Sequence, residues 1–130
     1  MRWTMDKKRG REGRELIAAA RQYCRMGLNS GKRSCAEIFD IIRGYYKTDG
    51  EKAKRLMAVC LLLLFLDAAG RAEERRILLW VSINMGRPSV KKSLAFWLKR
   101  YAYLNFLDER TAYRRWNYIV TAFRHILERM

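Results

Sequence analysis

The residues best equipped for chemistry are cations near the carboxyl end. Arg110, Thr111, Arg114 and Arg115 fall within two turns of one another if Asp108–Met130 is helical, and Tyr118 follows one turn later. A guanidinium fork makes two parallel hydrogen bonds to a phosphate or to the edge of a guanine, so arginines clustered at a helix start suit nucleic-acid recognition. Lys91, Lys92, Lys99 and Arg100 would then hold the phosphate backbone, while Lys7, Lys8, Arg9 and Arg11 would add minor-groove or nonspecific contacts. The same side chains also suit the solvated face of an ordinary basic helix.

Other chemistry is poorly supplied. The chain contains no glycine-rich phosphate loop, no HExxH and no nucleophile elbow. Most carboxylates fall at expected helix starts, where capping accounts for them. Three cysteines (Cys24, Cys35 and Cys60) show no CxxC spacing and read as reduced, mostly buried thiols of an intracellular protein. With His125 as the single histidine, a zinc site would require scattered residues to converge. Neither enzymatic activity nor a metal or cofactor is expected.

The charge balance points to an anionic partner. Lys and Arg number 28 against 13 Asp and Glu, a net charge of +15 spread along the whole chain. Polyphosphate binding is driven by counterion release and scales with the number of cationic contacts. Arginine outnumbers lysine by 19 to 9, which favours phosphate and base-edge recognition over a generic positive surface. Half of the residues are hydrophobic, so the chain folds and is not a disordered basic tail.

Helices must position these cations. Residues 1–11 read as a flexible basic arm and a first helix as running from about Glu12 to Met26, ended by Gly27. Ser34 and Glu37 form a capping-box pattern ahead of Ile38, Ile41, Ile42 and Tyr45. Thr48-Asp49-Gly50-Glu51 signals the next start. The run Leu56–Leu66 is uninterrupted apolar sequence, but at 11 residues it is too short to span a bilayer, which takes about 20. It is expected as the central helix, covered on every side, with no integral membrane segment.

A fourth helix is expected over Ala72–Met85, stopped by Gly86 and Pro88. Ser89 would cap a fifth helix whose Val90, Leu94, Trp97, Tyr101 and Leu104 make an apolar stripe. Asp108 caps the last helix, which carries Ala112, Trp116, Ile119, Phe123, Ile126 and Met130 inward. The expected fold is one all-α domain, a compact bundle of about six helices: residues 12–67 supply the amino-terminal helices and 72–130 a helix-turn-helix-like trihelical unit.

The segments Ala72-Glu73-Glu74-Arg75-Arg76-Ile77-Leu78-Leu79-Trp80, Gly86-Arg87-Pro88 and Thr111-Ala112-Tyr113-Arg114-Arg115-Trp116 resemble a family of short bacterial and phage-borne proteins of unassigned role. Their carboxyl-terminal half is a helix-turn-helix similar to region 4 of sigma factors. The resemblance implies that Thr111, Arg114 and Arg115 belong to a recognition helix and that Trp116 anchors it. It departs from the family pattern in the long Pro88–Arg114 spacing and in the turn Tyr103–Leu107, which holds Leu and Phe where a glycine is usual. The function expected is a cytoplasmic, nucleoid-associated DNA-binding regulator, with RNA as a related ligand and a homodimer or RNA polymerase as protein partner. The competing expectation is a helical adaptor or matrix-like protein that binds RNA, an anionic membrane surface or another protein.

Overall fold

The computed structural model describes residues 7–87, 89 and 91–130, with side chains from Gly10 onward. It contains six helices and, among the described residues, no strand: α1 (Lys7–Arg25), α2 (Cys35–Arg43), α3 (Gly50–Ala68), α4 (Ala72–Met85), α5 (Leu94–Leu104) and α6 (Glu109–Glu128). The helix starts follow local capping chemistry. Ser34 and Glu37 form a reciprocal capping box at α2. Asp49 accepts from the Lys52 amide at α3, and Asp108 from the Arg110 amide at α6. Each satisfies an amide that the helix itself leaves without a partner.

Helices α1 and α3 end in the same device. Gly27 and Gly70 adopt the left-handed conformation, with φ of 72° and 71°. The next amides, of Leu28 and Arg71, bond back to the carbonyls of Tyr23 and Leu66. This is the arrangement that a glycine just past a helix end makes cheap.

Helices α1, α3, α4 and α6 form the body of the bundle. α6 packs against each of the other three and against α5, whereas among the described residues the backbone of α5 approaches α4 and α6, and that of α2 approaches α3. The buried side of α6 is Ala112, Trp116, Ile119, Val120 and Phe123, and Trp116 and Phe123 are among the largest fully buried side chains. Truncating either to alanine costs about 3–5 kcal/mol, the usual range for a buried aromatic. Between α4 and α5, Trp80 meets the rings of Trp97 and Tyr101 edge-on, each at 5.6 Å between centroids.

Four sequence expectations shift. The first helix begins at Lys7, so residues 7–11 are helical; residues 1–6 of the expected arm lie outside the described residues. Lys and Arg are good helix formers and extend α1 across Gly10 without apolar anchors. α5 is capped by Ser93, which accepts from the Phe96 amide, and not by Ser89; Pro88 and Val90 lie outside the described residues. The apolar run of α3 is not covered all round, because Leu61, Leu64 and Phe65 are exposed. Of the thiols, Cys60 is buried, Cys24 half-buried and Cys35 exposed. No helix among the described residues is long and apolar enough to cross a membrane.

Candidate nucleic-acid interface

Five cations gather where α1 passes the carboxyl end of α4. Arg21 and Arg25, one turn apart on α1, share a cleft of about 580 Å³ with Arg87, Lys91 and Lys92 from the α4–α5 connection. Met85 and Gly86 complete its lining, and no carboxylate is among the described residues that line it. Gly86 allows the close approach: a Cβ there would stand 3.2 Å from Arg21 Nε. That Nε is shielded from solvent and has no hydrogen-bond partner in the fold. Arg25 also stands in the last turn of α1, where a cation offsets the negative end of the helix. Arg87 directly follows the C-cap Gly86, so the carboxyl end of α4 favours it in the same way, whereas Arg21, Lys91 and Lys92 are not placed at a helix end.

Such a cleft can hold phosphate oxygens. The cations reinforce one another's field in a concave site, and an entering anion would relieve their mutual repulsion. Cys24 lies on the adjoining groove with Arg21, Arg25 and Arg87. Burial pushes its thiol pKa up, so it is a poor nucleophile there.

The structure brings some sequence-predicted residues together and separates others. Lys91 and Lys92 belong to the cleft. Lys99 and Arg100 are exposed further along α5, and Lys99 Nζ reaches Glu109 at 3.7 Å, a contact that sets the start of α6 beside the middle of α5. Because both partners are exposed, that pair contributes little energy. Arg110 and Arg114 are exposed on the first turns of α6, and Thr111 is half-buried. Arg11 is exposed on α1, while the side chains of Lys7, Lys8 and Arg9 lie outside the described residues.

Arg115 and Tyr118 are engaged within the fold. Arg115 Nη1 donates to Glu74 Oε1 at 3.1 Å, and Arg71 Nη1 donates to the same oxygen at 3.2 Å. Glu74 is 1% exposed, so its carboxylate depends on these two donors. Arg71 also lies over the Tyr118 ring, 4.3 Å from its centroid. The group ties the start of α4 to α6. Since α6 packs against four helices, only its first turns and a narrow outer strip remain open to a ligand.

Sequence reasoning missed Arg21, Arg25 and Arg87. The spacing of Arg21 and Arg25 marks a shared helix face. Nothing local to α1 shows that this face meets the end of α4. Compared with known proteins, the chain matches no family model, no curated sequence and no solved structure.

Proposed function

We propose that this protein binds nucleic acid, DNA foremost and RNA as a related ligand. Backbone phosphates would sit in the cleft of Arg21, Arg25, Arg87, Lys91 and Lys92. Lys99, Arg100, Arg110 and Arg114 would continue the contact along α5 and the start of α6. The observation that carries this reading is the cleft itself, with five cations and no acidic side chain among its described lining residues. The net charge of +15 supports it independently, because a field of that size draws polyanions to the surface before any specific contact forms. A nucleoid-associated protein of the cytoplasm would meet such a ligand.

Of the residues expected to face bases, Arg115 is held by Glu74, which leaves Arg114 as the exposed candidate. Electrophoretic mobility shift at low salt tests the reading. Wild-type protein should retard DNA, and the double variant Arg87→Ala/Lys92→Ala, altered at two exposed positions, should do so much less. No retardation of any nucleic acid by the wild type would sink the proposal.

A second reading concerns assembly and rests on the uncovered strip of α3. Leu61 and Phe65, with Tyr118, Ala122, His125 and Ile126 of α6, line an apolar groove of about 490 Å³. Exposed contiguous apolar surface of this kind marks interaction sites. A second copy of the chain is the occupant expected here. Analytical ultracentrifugation should show a dimer that Phe65→Lys dissociates, and a monomer at every concentration would refute it.

A further inference from the structure

The turn between α5 and α6 breaks the rule that the other two turns obey. Leu107 donates its amide to the Ala102 carbonyl at 2.8 Å, the same backward bond seen after α1 and α3. The residue that must then turn left-handed is Phe106, at φ 55°, in the place that Gly27 and Gly70 hold elsewhere. A Cβ strains this conformation. The Phe106 ring gains no burial in return, since the residue is 98% exposed. Both local backbone energy and solvation oppose a phenylalanine at this point, so nothing inside the fold accounts for the side chain.

Its surroundings show what would. Phe96, Lys99, Arg100 and Tyr103 follow the i, i+3, i+4, i+7 pattern of a single helix face. On α5 that face is turned to solvent: Phe96 is 39% and Tyr103 76% exposed, whereas Trp97, Leu98, Tyr101 and Ala102 fill the opposite, buried face. Cations and aromatic rings are thus interspersed from Lys92 through Phe96, Lys99, Arg100 and Tyr103 to Phe106. The Phe96 ring is held edge-on against Trp97 at 5.0 Å, which fixes its plane before any ligand arrives. Lys92 Nζ lies 5.4 Å from the same ring, near the outer limit of a cation–π contact, and is able to swing to a phosphate.

We infer that the α5 face is a stacking platform for single-stranded nucleic acid. Bases would lie on Phe96, Tyr103 and Phe106 while Lys92, Lys99 and Arg100 follow the backbone. The inference rests on the nucleic-acid reading above and narrows it to the single-stranded form. Duplex DNA has its base faces covered and offers these rings only its grooves. A single strand exposes a π-face at every base, and ring-to-base stacking tolerates any sequence. The α5 axis from Phe96 to Tyr103 rises about 10 Å, two helical turns, which suits a short run of nucleotides laid along the helix.

Fluorescence anisotropy tests this with labelled oligo(dT), a duplex of equal length, and inorganic polyphosphate as competitor. Oligo(dT) should bind more tightly than the duplex, and polyphosphate should displace it only at a large excess of charge. Tyr103→Ala and Phe106→Ala should each weaken oligo(dT) binding about 5- to 150-fold, the loss of one stacked base, with the salt dependence unchanged. Tyr103→Phe should retain the affinity. Phe106→Gly is the control for folding, because it removes the ring and the backbone strain together. It should lower the affinity while raising thermal stability, a combination that a purely structural role would not produce.

Equal binding of oligo(dT), duplex and polyphosphate, with the aromatic variants silent, would overturn the platform and leave charge-driven binding standing. Binding to phosphatidylserine vesicles but not to oligo(dT), lost on Phe106→Ala, would overturn it in favour of a lipid surface. Failure to bind any nucleic acid at low salt would instead remove the broader reading on which it depends.

Discussion

Arg115 is engaged within the fold, whereas its neighbour Arg114 is exposed to solvent. Replacing it with alanine removes one of two guanidinium groups from Glu74, a carboxylate with 2% side-chain exposure. A hydrogen bond to a charged group contributes about 1.5–3 kcal/mol, and stranding a buried charge without any partner costs about 3–5 kcal/mol. Arg71 stays in place at 3.2 Å, so the carboxylate is not stranded and the lower range applies. The Arg115 side chain is itself 33% exposed, and solvent screening trims the figure further. Arg115→Ala should therefore destabilise the fold by about 2 kcal/mol, or roughly 7 °C in thermal midpoint for a domain of this size. Arg114→Ala, at an exposed neighbour, should stay within about 0.5 kcal/mol of wild type. Urea denaturation followed by circular dichroism measures both. Combining Arg115→Ala with Glu74→Gln should cost less than the sum of the two single changes, since both remove one interaction. Equal stabilities for Arg114→Ala and Arg115→Ala, or strict additivity in the cycle, would refute the reasoning.

Other consequences follow from single side chains. Phe106→Gly should stabilise the protein by about 0.5–1 kcal/mol in thermal melts, because relief of left-handed strain exceeds the added freedom of the unfolded chain; unchanged or lowered stability would argue against the strained turn. In the native state a thiol reagent should modify exposed Cys35 first and buried Cys60 last, with Cys60 reacting fully only after urea unfolding. Burial raises the pKa of Cys60 from its ordinary 9.0 and that of Tyr23 from 10.0. The unfolded chain therefore releases these protons at lower pH than the native one. The stabilisation is fully present below about pH 9 and is lost as the pH rises beyond it. Urea midpoints that stay level from pH 8 to pH 11 would contradict the buried Tyr23–Cys60 pair.

Much of the fold was legible because its signals are local. The capping box at Ser34 and Glu37, the cap at Asp108 and the bounds of α4 depend on residues within a turn of one another. The start of α5 was misplaced because Ser89 and Ser93 are both plausible caps, and only the observed bond to Phe96 distinguishes them. The coverage of α3 was overestimated for a related reason. A run of leucines looks the same on every face, and the number of neighbouring helices decides which leucines meet water. At the site, Lys91 and Lys92 were recognisable as cations in a turn, but the cleft also needs Arg21 and Arg25 from a helix distant in sequence. The engagement of Arg115 was equally hidden, since Glu74 lies 41 positions away. The α5–α6 turn carried a readable clue, the missing glycine, whose meaning emerged with the φ of Phe106.

The central claim is that the cleft of Arg21, Arg25, Arg87, Lys91 and Lys92 contacts the phosphate backbone. The salt dependence of binding measures this most directly. For an oligo(dT) single strand, the plot of log affinity against log salt falls by about 0.7 for each phosphate neutralised. Removing two cleft cations in Arg87→Ala/Lys92→Ala should make the slope shallower by about 1.4 on that rule. Arg33→Ala/Arg43→Ala, two exposed cations that do not line the cleft, should leave the slope as it is in the wild type. An unchanged slope in the cleft variant, or an equal change in both, would contradict the account.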